Sequence, residues 1–514
     1  MNIGRRTRER IVLHPMMSFI ILIAVVIVLS GILDLFDASV TYNSINAKTG
    51  AYESTLVTVE SLFNLSGLKY IFSSTVSNFV SFAPLSMLLI ILIGIGIMDE
   101  SGFLDSFFFV LTKKLPKTVV TYIITLICIF CSVTGDIAYV VFIPLTALLF
   151  KYGRRNPIVG IINAFASVGL GYGLHFVLSS LDSSLLDITQ KSANIISSTY
   201  VVSEHPFLII ELLAVIVGSV IITYITEKVT APRLGKYEEQ SEEIIEDKES
   251  LTRRELRGLL FALGGAILYG IIFIWNIIPH MPLGGNLLDY SQARYIEMLF
   301  GSQSFFNSGF VFIITILFIL VGLLYGLGAR TISNHRDICN FLSHSLDEIG
   351  KVIILILFAS ILVSLLKYTN IGDLFTGLMA NLVANSQFTG IPLIILVLFV
   401  GLLTTFMLPS MVSRWNILSG SLVPTMMSAG LSPEFAQLIF TVGGSASYIL
   451  TPAMAYFVIY NAYIEKYDKD GTGMMKCLSY CLPYSAALFF MWFVLLLLWF
   501  VTGLPIGIGV STVL

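Results

Sequence analysis

Two aspartates stand where the chain is otherwise apolar enough to sit in lipid. The stretch "LSSLDSSLLDIT" sets Asp182 among Ser179, Ser180, Ser183 and Ser184, and "FCSVTGDIAY" sets Asp136 among small residues. A carboxylate at membrane depth costs roughly 2.5–3.5 kcal/mol on insertion scales, and such residues mark ion or substrate pathways. Hydroxyls, freed backbone carbonyls and a carboxylate suit a hard cation, while half-helix N-termini suit an anionic solute. Asp136 and Asp182 are therefore the expected cation-coupling residues, with sodium or a proton as the ion. No other cofactor is expected.

Two further clusters interrupt the apolar background. "LPSMVSRWN" (408–416) carries Ser413, Arg414, Trp415 and Asn416, and "FTVGGSASYILTP" (440–452) carries Thr441, Gly443, Ser445 and Ser447. The polar and aromatic side chains of these clusters, with Ser179, Ser180 and Asp182, form the expected substrate site. Gly443 and Ser447 join the two aspartates as cation-coupling positions. Each cluster also has a plainer reading. Gly169, Gly171 and Gly173 are equally suited to close helix packing, His175 to a buried hydrogen-bonded role, and Trp415 to an interfacial anchor.

The elements that must carry these residues follow from composition. The 514 residues are 56% hydrophobic and 12% charged, and mean hydropathy is +0.89. Soluble domains are about 25% charged, so the partner of most of this chain is the lipid bilayer. A net charge of −3 gives no footprint for nucleic acid. Cys128 and Cys131 are spaced like a metal pair, but no second pair follows, so they read as packing residues. The apolar run after "MNIGRRTRERIVLHP" is long for a signal sequence and lacks its cleavage site, so it reads as a retained first span.

Runs long enough to cross about 30 Å fall at 16–35, 82–98, 207–226, 257–278, 309–328, 349–367 and 478–503. The spacing predicts a re-entrant hairpin over 118–150 and another over 389–427, with broken crossings at 158–199 and 433–463. With the N-terminus cytoplasmic, the large majority of the 29 lysines and arginines then lie inside, as the positive-inside bias requires. The expected architecture is an all-α integral membrane protein with about nine transmembrane helices, two of them broken, and two hairpins. Residues 1–230 and 309–514 form an inverted repeat, separated by a cytoplasmic linker (231–256) and by a linking helix with an outer loop (257–308). Such a repeat with interrupted helices is a secondary-transporter architecture. A weak internal echo puts Asp136 eight residues before Pro144 and Asn416 eight before Pro424, and Pro157 and Pro433 open the two broken helices.

At these clusters the chain resembles the aminobenzoyl-glutamate transporter (AbgT) family of bacterial inner-membrane proteins. "FAPLSMLLIILIGIGIMDESGFLD" (82–105), "GDIAYVVFIPLTALLF", "SSLDSSLLDITQ" and "LVPTMMSAGLSPEFAQ" keep the order of that family's motifs. The resemblance implies a homodimer that moves aminobenzoyl-glutamate, a related folate fragment or sulfonamide-like antimetabolites with a coupling cation. It also implies roles for Asp182, Trp415 and Pro433. The chain departs from the pattern at Thr441-Val442-Gly443-Gly444-Ser445, where the family has Arg-x-Gly-Asp-Ser, and at Val412, where it has serine. Arg414 is the basic residue left to face an anionic substrate.

Two other readings compete. An intramembrane aspartyl protease would pair Asp136 with Asp182, but such enzymes need two carboxylates sharing a proton, and "VTGD" lacks the first glycine of GxGD. A passive channel would not concentrate its solute. The chain carries no P-loop for direct ATP drive, and it is not expected to be an enzyme.

Overall fold

The computed structural model describes residues 13–45, 52–174, 179–235, 237, 250–301, 303–347, 349–468 and 471–514. His175, the basic residues at 5–10 and most of the linker fall outside that set. The first half runs α1 (Pro15–Leu35), a β-hairpin of β1 (Ser39–Ile45) and β2 (Tyr52–Thr58), α2 (Leu65–Val80), α3 (Ala83–Glu100) and α4 (Phe103–Lys114). It continues through α5 (Lys117–Cys131), α6 (Ile137–Tyr152), α7 (Pro157–Gly171), α8 (Ser180–Ala193) and α9 (Leu208–Ile225), which a π-turn extends into α10 (Ala231–Leu234). Helices α11 (Arg253–Ile277) and α12 (Tyr295–Phe300) lead to the second half. That half contains α13 (Phe305–Ala329), α14 (His335–His344), α15 (Ile349–Tyr368), α16 (Ile371–Ala384), α17 (Gly390–Met407), α18 (Met411–Ser428), α19 (Pro433–Tyr448), α20 (Phe457–Tyr467) and α21 (Met474–Thr502).

The packing pattern shows the repeat. Helix α1 packs on α15 while α3 packs on α13, and α2 packs on α15 while α14 packs on α3. Likewise α8 meets α18 and α19, and α20 meets α6 and α7. Exchanging the halves converts each of these pairings into another that is present, as a two-fold relation demands. The connections match as well. Residues 101–102 and 369–370 are equal two-residue turns, each ending in a left-handed residue, Gly102 at φ 85° and Asn370 at φ 55°. The interval from the end of α7 at Gly171 to the start of α8 at Ser180 also equals that from the end of α19 at Tyr448 to the start of α20 at Phe457.

Local sequence explains where the helices start. Proline occupies the first turn of α1, α3, α7 and α19, where its missing N–H is no loss. Side chains of Asn156 and Ser432 cap α7 and α19. Every residue of α7 and of α19 is buried, so the two half-helices form the centre, with the hairpins and full spans around them. Their small residues permit close approach, which substitutes for a hydrophobic driving force that lipid does not supply.

Nine helices among the described residues are long and apolar enough to cross a membrane. Two of these are the first arms of the helical hairpins, Lys117–Thr134 and Gly390–Met407. The nine crossings read from the sequence instead include the two broken pairs, so the counts agree while their members differ. The structure is nearly all helical, as expected, with one addition. Ser39–Ile45 pairs antiparallel with Tyr52–Thr58, because these segments alternate β-branched or aromatic residues with polar ones. Val40 and Tyr42 are buried, and β1 lies on α16 and α18. Helices α2, α4, α14 and α16 were also not foreseen, since their serines and charges break the apolar runs.

Candidate functional site

The interruptions meet at one cavity of about 620 Å³. The first hairpin tip contributes Asp136, the first break Tyr172, and the second hairpin Leu408, Pro409, Ser410, Ser413 and Asn416. The second crossing contributes Tyr448, Ala453 and Tyr456, and the α15–α16 turn adds Lys367, Asn370 and Asp373. Tyr42 of the β-hairpin closes one side.

Asp136 is placed to use its charge. It is the N-cap of α6, yet its side chain makes no cap hydrogen bond, although an aspartate there usually accepts one from the first turn. The Tyr456 hydroxyl, which donates to Met87 Sδ at 3.5 Å, faces the same cavity. Asp182 is employed differently. It forms a capping box with Ser179: Ser179 N and Oγ donate to Asp182 Oδ2 at 2.9 and 2.8 Å, and Asp182 N donates to Ser179 Oγ at 3.3 Å. This pair restarts the helix after the break, with Ser180 as the first residue of α8.

Tyrosines wall the cavity. Tyr172 and Tyr448 stack with centroids 4.5 Å apart and a 5° interplanar angle, joining the two breaks. Tyr139 stacks on Tyr456 at 5.8 Å within the same group. A carboxylate among phenol, serine and amide oxygens can hold a hard cation, and aromatic faces with a few polar groups can hold a small organic solute. Among the described residues no cluster of three or more His, Cys, Asp or Glu has metal-site geometry, so a cation at Asp136 would draw its other ligands from hydroxyl and carbonyl oxygens.

Of the residues singled out in the sequence, Asp136, Ser413 and Asn416 line this cavity. Arg414 and Trp415 do not. Both are fully buried, with Trp415 stacked on Phe440 at 4.6 Å and its Nε1 donating to Thr189 Oγ1 at 2.9 Å. Thr441, Gly443, Ser445 and Ser447 lie inside continuous helix, since α19 runs unbroken to Tyr448. The expected break over 440–452 is corrected to 449–456. Gly443 packs on the Leu398 carbonyl and the Ser447 hydroxyl donates to Leu402 O at 3.0 Å, so glycine here serves helix contact rather than unwinding. Similarly, Gly171 meets Ser132 and Gly173 meets Ser445 without room for a Cβ. Pro433 opens α19 and Tyr448 ends it, so about 22 Å of helix separates Pro433 from the cavity wall. The proline echo also changes. Asp136 occupies the N-cap position of α6 as Ser410 does that of α18, which makes Ser410, not Asn416, its counterpart.

Lys367, Asn370, Asp373 and the tyrosines escaped the sequence reading. Their signal was present: "LLKYTN" is a polar interruption directly after a span, and "GLGYG", "SASYIL" and "PAMAYF" put a tyrosine beside each break.

The AbgT transporter family model matches residues 7–514. The chain belongs to this family. It is 28% identical over 503 residues to the p-aminobenzoyl-glutamate transport protein of Escherichia coli K12, covering 97% of this chain and 94% of that protein. It is 31% identical to Neisseria gonorrhoeae MtrF, described among a class of antimetabolite efflux pumps, with TM-score 0.50 and 98% of both chains covered. The Alcanivorax borkumensis YdaH transporter is 25% identical, with TM-score 0.48 over 96% of this chain and 100% of that one. Membership in the AbgT family makes the protein a multi-pass membrane transporter of a small molecule and sets aside the protease reading.

Proposed function

We propose that this AbgT-family protein is a cation-coupled secondary transporter of a small carboxylate-bearing solute, of the aminobenzoyl-glutamate and folate-fragment class or of sulfonamide-like antimetabolites. One observation carries the reading. Two hairpin tips and two helix breaks converge on a single cavity that presents Asp136 without a capping duty. Asp136 binds the coupling ion, sodium or a proton. Ser410, Ser413, Asn416 and the Tyr172–Tyr448 pair receive the solute, and Lys367 at the cavity edge attracts its carboxylate. The Asp182–Ser179 cap sets the shape of the first break. The hairpins are re-entrant, the N-terminus is cytoplasmic, and the working form is a homodimer in the bacterial inner membrane. The names of the relatives support the substrate class, and the basic-residue asymmetry supports the orientation.

The test is accumulation in proteoliposomes with imposed sodium or proton gradients and aminobenzoyl-glutamate as probe, read by mass spectrometry. Accumulation against the solute gradient that collapses when the ion gradient is removed fits the proposal. Equilibration without accumulation would instead indicate a passive channel.

A further inference from the structure

Arg414 presents a problem in electrostatics. Its guanidinium is fully buried at the start of α18. Nη1 donates to the Gly401 carbonyl at 3.1 Å, while Nε and Nη2 have no hydrogen-bond partner. The group lies 5.1 Å from the Phe440 ring centroid. Among the described residues no carboxylate pairs with it. Arginine cannot shed its proton to relieve such burial, so the positive charge is a permanent feature of this place.

The oxygens shown beside the guanidinium are the Gly401 carbonyl and, on the same side of Gly444, the Thr405 hydroxyl. The bonded Gly401 carbonyl belongs to α17 and also accepts from Thr405 Oγ1 at 2.8 Å. A Cβ added at Gly444 of α19 would lie 2.9 Å from Arg414 Nη1, 3.0 Å from Nη2 and 3.2 Å from Thr405 Oγ1. Glycine at 444 thus makes room for the guanidinium, and a carboxylate there would fall within reach of it. Backbone carbonyls at a half-helix C-terminus are also what coordinates a small monovalent cation in interrupted transporter helices. In the first half the corresponding place, the fourth residue of α6, is the apolar Val140, and the carboxylate Asp136 stands at the tip instead. One half carries a carboxylate open to the cavity, and the other a cation that cannot leave.

We infer that Arg414 is a built-in cation: it permanently fills a cation position between the second hairpin and α19, leaving Asp136 as the holder of the exchangeable ion. This rests on reading the cavity as a cation-coupled transport site. The guanidinium clamps α17 and α18 to α19, a task that an exchangeable ion would otherwise perform.

Thermal unfolding of the full-length protein in sodium, choline or millimolar guanidinium chloride tests this without any substrate. Arg414→Ala should lose several degrees of melting temperature and regain most of it in guanidinium, with wild type unaffected. Arg414→Ala combined with Gly444→Asp should gain more stability from sodium relative to choline than wild type does, and the sodium dependence of its transport should steepen from first to second order. Gly444→Asp alone should respond to sodium no more than wild type does through Asp136, because the resident guanidinium pairs with the new carboxylate; this variant keeps the test decisive if Arg414→Ala does not fold. A sodium-dependent gain in Gly444→Asp alone that exceeds the wild-type gain, or a double variant that responds to ions no more than wild type, would overturn the inference. Failure of wild type to accumulate solute would count against the transport reading, and the unfolding data would still decide the role of Arg414.

Discussion

The two hairpin tips are built alike and charged oppositely. The first turns at 132–136 and leaves Asp136 facing the cavity with its cap position unused. The second turns at 408–410, caps α18 through Ser410, and directs its charged residue away from the cavity into the protein. Backbone symmetry therefore does not carry chemical symmetry with it. The first tip can exchange a ligand, whereas the second is held by Trp415, Phe440 and Arg414. The first is the place to look for coupling and the second for rigidity.

The largest effect that would break this comparison comes from Asp136→Asn, which keeps size and hydrogen bonding but removes the charge. Concentrative transport should disappear, and apparent cation affinity should fall by more than the roughly 10- to 100-fold typical of outer-sphere metal partners. The measurement is ion-dependent uptake alongside the melting temperature, which should change little or rise, because a buried charge has been deleted. Retained ion coupling would move the exchange site away from the first tip.

Trp415→Ala probes the other tip. The indole is fully buried, stacks on Phe440 and bonds to Thr189, so truncation should cost about 3–5 kcal/mol of stability. Trp415→Phe should recover most of the packing but leave Thr189 without that donor. If the second tip is a rigid support, Trp415→Phe protein should keep the wild-type order in sodium. A changed ion dependence would make it part of the exchange site.

Within the first half a second contrast separates Asp136 from Asp182. Asp182→Ala removes a helix cap and should cost about 1 kcal/mol, whereas Asp182→Asn can still accept from the Ser179 backbone and should lose only a few tenths. Comparing unfolding and uptake for the two variants separates cap from charge. If Asp182→Asn folds normally yet loses accumulation, the charge of Asp182 also serves transport.

Much of this arrangement was legible in the sequence. Apolar runs bounded by proline and small residues located the helix pairs α5–α6 and α17–α18 and the short helices α7, α8, α19 and α20, because bilayer thickness limits helix length and unwound backbone needs a protein interior. Asp136 stood out by polarity alone. Orientation within the site was not legible. Ser413 and Asn416 reach the cavity while Arg414 and Trp415 point away, a difference set by helical periodicity once α18 begins at Met411. The run "VGGSAS" looked like a break because glycine disfavours helix, but close contact with α17 keeps it helical. Lys367 looked like an ordinary end-of-span lysine, and only the tertiary fold brings it to the cavity.

Lys367 gives the smallest and most discriminating test of where the positive charge for an anionic solute resides. It is exposed, and it is the basic side chain among the residues lining the cavity. Asp373 lines the same wall, so the net field at the mouth is modest. An exposed charge contributes about 0.5–1 kcal/mol, so Lys367→Ala should weaken aminobenzoyl-glutamate binding by about 2- to 5-fold. The loss should fade at high ionic strength, where charges more than about 3 Å apart are screened at 1 M salt. Asp373→Asn should act in the opposite sense, tightening the anion by removing a like charge. Binding by isothermal calorimetry at low and high salt measures both. If Lys367→Ala binds normally while Arg414→Ala loses the anion, the buried guanidinium faces the solute and the contrast between the two tips must be redrawn.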